Sequence, residues 1–84
     1  METLVKEYLE HRFAGSRADV YTEEPAGRVM GTIVWDKWEE QEQLQRQQEV
    51  WEALREHFKE EAQNISLILA YTPHEYDTLP IAFA

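Results

Sequence analysis

The side chains able to exchange a proton near neutral pH in this 84-residue chain are three histidines, His11, His57 and His74. No two of them stand three or four residues apart, the spacing with which one helix aims two imidazoles at a single metal ion. Cysteine is absent, which removes thiolate metal sites, disulfides and a cysteine nucleophile together. Glu39-Glu40 and Glu60-Glu61 offer adjacent carboxylates. Neighbours on a helix diverge by about 100°, however, so such pairs cannot converge on one substrate as acid and base. Ser16 and Ser66 lie in no Gly-x-Ser-x-Gly elbow. The three glycines form no phosphate-cradling loop. The expectation is a protein with no catalytic residues, no metal ligand set and no cofactor, and so not an enzyme.

Binding is the chemistry the composition does support. Seventeen acidic against eight basic residues leave a net charge of −9. Nucleic-acid affinity rests on Lys and Arg displacing counterions from phosphates, which makes nucleic acid an unfavoured partner. The acidity concentrates in residues 36–61, with nine Asp or Glu and four Lys or Arg. That stretch reads either as a solvated helix face or as a docking surface for a basic protein. No apolar run approaches the roughly 20 residues of a membrane span. The opening METLVKEYLEH lacks the apolar core of a signal peptide. A soluble cytoplasmic protein is expected.

The elements that must position these groups follow from local pattern. Asp36 to Asn64 has no Gly or Pro and is rich in good helix formers. Leu44, Trp51 and Phe58 recur every seven residues with Leu54 between them, predicting an amphipathic helix over about 44–62 whose seam lies on a sheet. Asp36 with Glu39 reads as a capping box, and Glu42 with Arg46 as a favourable pair one turn apart. Because residues 39–43 carry no apolar side chain, the front of this stretch reads as a loop or a separate short helix. Before it, Val5, Leu9 and Phe13 predict a helix over 1–13 stopped at Gly15. Residues 17–23 and 28–35 read as strands joined by the Glu24-Pro25-Ala26-Gly27 turn, an antiparallel hairpin whose second member is the more central. Gly31 marks a bulge or a place where the helix backbone comes close. Residues 65–72 are the most apolar and read as a buried strand, with Ile65, Leu67, Leu69 and Tyr71 on one face and Ser66, Ile68, Ala70 and Thr72 on the other. Thr72-Pro73-His74-Glu75 has every part of a helix start. The tail Ile81-Ala82-Phe83-Ala84 is apolar enough to pack back on the core. The fold class is α+β: one small domain over 1–84, with the order αββ(α)αβα and a three-stranded sheet carrying its helices on one face.

This order, and several local patterns, resemble the BolA family, whose fold is like a type II KH domain. The run Leu44-Gln45-Arg46-Gln47-Gln48-Glu49-Val50-Trp51 is similar to the family's helix pattern Leu-x-Arg-His-Arg-x-Val-x, and Trp38 falls where an aromatic residue enters that helix. Asn64 through Tyr76 is similar to its last strand and its Thr-Pro-x-Glu-Trp exit. The likeness spans about residues 17–77. It implies a regulatory partner of monothiol glutaredoxins, in which a helix histidine helps to hold a shared iron–sulfur cluster. Here that position is Gln47, the last strand's histidine is Asn64, and the hairpin turn offers neither His nor Cys. Carboxamides do not replace the imidazole or thiolate that iron–sulfur chemistry uses.

The expected function is therefore a BolA-like, non-catalytic module that binds a partner protein, glutaredoxin-like if the resemblance holds. Its candidate surface is Trp38, Glu39, Glu40, Glu42, Arg46 and Gln47, and the free protein is a monomer or weak dimer. One alternative keeps a metal or iron–sulfur role with substitute ligands such as His57 or His74. The other is a KH-like nucleic-acid binder. KH domains clamp the backbone with a Gly-x-x-Gly loop, and residues 36–64 contain none. Trp35 and Trp38 read as core closure of the helix start or as aromatic anchors for a partner.

Overall fold

The computed structural model describes residues 1–78, and Arg28–Val34 (β2) runs through the middle of its sheet. Arg17–Glu23 (β1) lies antiparallel on one side, paired without a slip from Arg17↔Val34 to Glu23↔Arg28. Ile65–Tyr71 (β3) lies parallel on the other side. The strand richest in apolar residues after β3 takes the centre because it alone is paired along both edges. Helices Glu2–Arg12 (α1), Gln43–Phe58 (α2) and Pro73–Asp77 (α3) complete the α+β architecture expected from the pattern. Val5, Leu9 and Phe13 from α1 and its end meet Ala18, Val29, Ile33, Ile68 and Ala70 from one face of the sheet, and Val50 and Leu54 from α2 close the core. The apolar tail from Ile81 lies outside the described residues.

Where α2 meets the sheet bears out only part of the expected seam: Leu54 is fully buried and Trp51 and Phe58 pack against the core, but Leu44 does not. Its buried residues are Arg46, Val50, Ala53 and Leu54. Leu44 is 67% exposed, and Trp51 and Phe58 are only half-buried. The true contact stripe is thus rotated by roughly 100° from the Leu44–Trp51–Phe58 line. A charged residue, Arg46, occupies the first core position, and that hid the stripe from a reading based on apolar spacing. The helix also stops at Phe58, four residues early. Lys59 holds φ 53°, ψ −119° and turns the chain into a 3-10 segment over Lys59–Asn64. The Asp36–Glu39 capping box does not form; Asp36–Trp38 is a separate 3-10 turn, and α2 begins after Glu42 with no side-chain cap. The capping box at the other end does form. The Thr72 hydroxyl accepts from the Glu75 N–H at 3.2 Å, and the Glu75 carboxylate accepts from the Thr72 N–H at 2.9 Å.

Two departures from regular pairing shape the sheet. The β2–β3 register shifts between Val29 and Met30, so that Ile65 faces Val29 while Leu67 faces Met30. This extra residue puts Ile65 on the buried face with Ile68 and Ala70, not with Leu67, Leu69 and Tyr71 as strict alternation expects. Gly31 is where another backbone comes close, but that backbone is β1 and not the expected helix. A Cβ at Gly31 would stand 2.1 Å from the Asp19 carbonyl oxygen.

Candidate protein-binding surface

The acidic entry to α2 is held from beneath by two buried side chains. Trp38 is fully buried, its ring 5.4 Å from Phe13 and 5.3 Å from Trp35. Its indole N–H donates to Glu49 Oε1 at 3.3 Å. Arg46 is 4% exposed. Its Nε donates to the Gln41 carbonyl at 2.9 Å, and its Nη1 donates to Gln43 Oε1 at 3.2 Å and to Glu75 Oε1 at 2.5 Å. One guanidinium therefore ties the loop before α2, the first turn of α2 and the start of α3 together. Above this footing Glu39, Glu40 and Glu42 are exposed. Among the described residues none of the three takes part in an ion pair.

This geometry corrects the sequence-derived site in part. Glu39, Glu40 and Glu42 form a surface; Trp38 and Arg46 are its underside and reach no solvent for a partner to touch. Glu42 is not the ion-pair partner of Arg46, since that role falls to Glu75, 29 residues away. Apolar spacing gave no hint of this contact. The one available signal was an arginine set among glutamines at a helix start, together with a Thr-Pro-x-Glu exit. The Arg46 hydrogen bond, then that of the Thr72 backbone, holds the Glu75 carboxyl below its ordinary pKa.

Gln47 is committed as well. Its Nε2 donates to the Ile68 carbonyl at 2.9 Å, and its Oε1 accepts from the Ala70 N–H at 2.8 Å. The side-chain amide thereby pairs with the free edge of β3 as the N–H and C=O of one residue of a neighbouring parallel strand would. The opposite edge is treated similarly. At Ala18 of β1 the carbonyl accepts from Lys6 Nζ at 2.5 Å and the N–H donates to Glu10 Oε2 at 3.0 Å. No histidine is among the side chains that hold this region together. His57 is exposed and stacks on Tyr8 with ring centroids 4.0 Å apart, while His74 sits in the first turn of α3. Among the described residues no three His, Asp or Glu side chains converge as a metal site. No helix there is long and apolar enough to cross a membrane.

No family model and no curated protein matches the sequence. Among solved structures, the chain is similar to a BolA protein homologue from Coxiella burnetii. The two are 24% identical, with 92% of this chain and 96% of that chain covered and a TM-score of 0.69. The fold is BolA-like. On that BolA-like frame the helix position that the resemblance assigns to a cluster-holding histidine carries Gln47, whose nitrogen and oxygen are both hydrogen-bonded to β3. A carboxamide so engaged does not fit an iron ligand.

Proposed function

We propose that this protein is a non-catalytic, BolA-like binding module that works in the cytoplasm by docking a basic surface of a partner protein on Glu39, Glu40 and Glu42. The observation that carries the reading is a set of three exposed carboxylates with no ion-pair partner among the described residues, on a segment pinned by the buried Trp38 and Arg46. The backbone that carries these charges is already ordered, so a partner does not have to order that segment on docking. Its chemistry asks for Lys- or Arg-rich protein rather than phosphate. A glutaredoxin-like protein, the partner the family resemblance implies, is the first to assay.

The test is affinity capture from native extract, together with a direct titration against a monothiol glutaredoxin. Wild type is compared with the Glu39→Lys/Glu40→Lys/Glu42→Lys variant. The partner should be retained by wild type, released as salt rises, and lost by the variant while its circular dichroism stays unchanged. Equal retention by both proteins would place the docking surface elsewhere. A coloured cluster formed with glutaredoxin under anaerobic reconstitution would overturn the reading of Gln47.

A further inference from the structure

Helices α1 and α2 cover one face of the sheet, and the other face carries more apolar side chains than a solvated face should. Opposite residues in register share a face, so β1, β2 and β3 present three rows there: Tyr21–Met30–Leu67, Asp19–Thr32–Leu69 and Arg17–Val34–Tyr71. Tyr76 of α3 closes the third row, with its ring 6.1 Å from that of Tyr71 and the Arg17 guanidinium 5.6 Å from its centroid. The first two rows stay open. Tyr21 is 55% exposed and Leu67 is 41% exposed, two of the four large apolar side chains so exposed among the described residues. The charges on this face balance, Arg17 and Arg28 against Asp19 and Glu23, whereas the chain as a whole carries −9. A second copy can therefore approach this face without the like-charge repulsion it would meet on the helical side.

We propose that two copies of the chain associate through this sheet face, about a two-fold axis that crosses the strands between the two open rows. That operation lays each strand antiparallel over its own counterpart. Leu67 then meets Leu69 of the second copy, Met30 meets Thr32, and the Tyr21 hydroxyl can donate to the Asp19 carboxylate. Arg17 faces Glu23 of the other copy, and each of these contacts occurs twice. The alternative axis, along the strands, would lay Tyr21 on Leu67 but Asp19 on Leu69, a carboxylate against hydrocarbon, and would set Arg28 against its own counterpart. The register therefore selects the first arrangement. Three strands about 4.8 Å apart and seven residues of about 3.3 Å give a footprint of roughly 14 by 23 Å. That is well under the about 800 Å² per partner of a standard interface, so the dimer is weak and concentration-dependent. The helical surface stays free, so this association is independent of the docking of a partner on Glu39, Glu40 and Glu42.

Sedimentation equilibrium on the full chain decides it, at 150 mM salt and from micromolar to hundreds of micromolar protein. The weight-average mass should rise from 10.0 kDa toward twice that value. Arg17→Glu and Glu23→Arg should each weaken association about tenfold. The double variant restores the pair with reversed polarity and should recover wild-type association to within about threefold. Leu67→Glu should leave a monomer with unchanged circular dichroism, since Leu67 lies outside the core. A protein that stays at the monomer mass throughout, a dimer indifferent to Leu67→Glu, or a double variant no better than the singles would each overturn the proposal.

Discussion

At the scale of single residues, the fold turns on a few positions whose neighbours admit one side chain. Gly31 is the clearest. Its φ is not in the left-handed region, so conformational freedom is not what a glycine supplies here; the need is space. The β1 backbone crosses so closely that a Cβ would stand 2.1 Å from the Asp19 carbonyl and 2.9 Å from the Val20 Cα, both backbone atoms with no rotamer to yield. Gly31→Ala must push the two strands apart and is expected to cost about 2–3 kcal/mol, in the range of overpacking a tight core. Urea unfolding checks this. A loss below 0.5 kcal/mol, the ordinary surface value, would show that β1 relaxes freely. Arg46 answers a similar demand by charge. A guanidinium that is 4% exposed is tolerable because a backbone carbonyl, an amide and a carboxylate share its donors.

At the scale of elements, the sequence shows what the chain forms better than how the pieces are turned. The hairpin, the existence of the third strand and the Thr72-Pro73-His74-Glu75 helix start were legible, because alternation, turn residues and caps act over a few neighbours; that the third strand pairs in parallel was not. The orientation of α2 was not. Leu44, Trp51 and Phe58 make a regular apolar line, but the sheet takes the line beside it, led by Arg46. Whether a buried cation is acceptable there depends on Glu75, which arrives from 29 residues away. The acidic ridge proposed for docking was legible as charge. Its footing was legible in part, since core closure was one of the two readings of Trp38, while nothing local shows that Arg46 is buried. The rotation predicts unequal truncations. Leu54→Ala, at a fully buried site, should cost about 2–5 kcal/mol. Leu44→Ala, at a residue 67% exposed, should stay within about 0.5 kcal/mol. Equal losses in denaturant melts would restore the heptad seam and refute the packing described.

At the scale of the whole molecule, two carboxylates connect the layers and make cohesion depend on pH. Glu10 bonds the Ala18 N–H and Lys6, joining α1 to the edge of β1. Glu75 bonds Arg46 and the Thr72 N–H, joining α3 to α2. Both carboxyls are held below their ordinary pKa. The Ala18 N–H and then the Lys6 side chain are the causes at Glu10, and the Arg46 guanidinium and then the Thr72 N–H at Glu75. A carboxyl whose folded pKa is lower than its unfolded one binds fewer protons in the folded state. Its contribution is therefore complete above the unfolded value of about 4.3 and is lost as pH falls through the folded value. Thermal melts should show no change from this source between pH 7 and 5, then a steady loss below about pH 4. Glu10→Gln and Glu75→Gln should lower the melting temperature at pH 7 and flatten the acid limb, each by its own share, because the two sites have no partner in common. Glu75→Gln should have the larger effect, since it withdraws the counter-charge from an arginine with almost no access to water. An acid limb unchanged in the double variant would assign the loss of stability to other groups and sever the link between these two contacts and the cohesion of the fold.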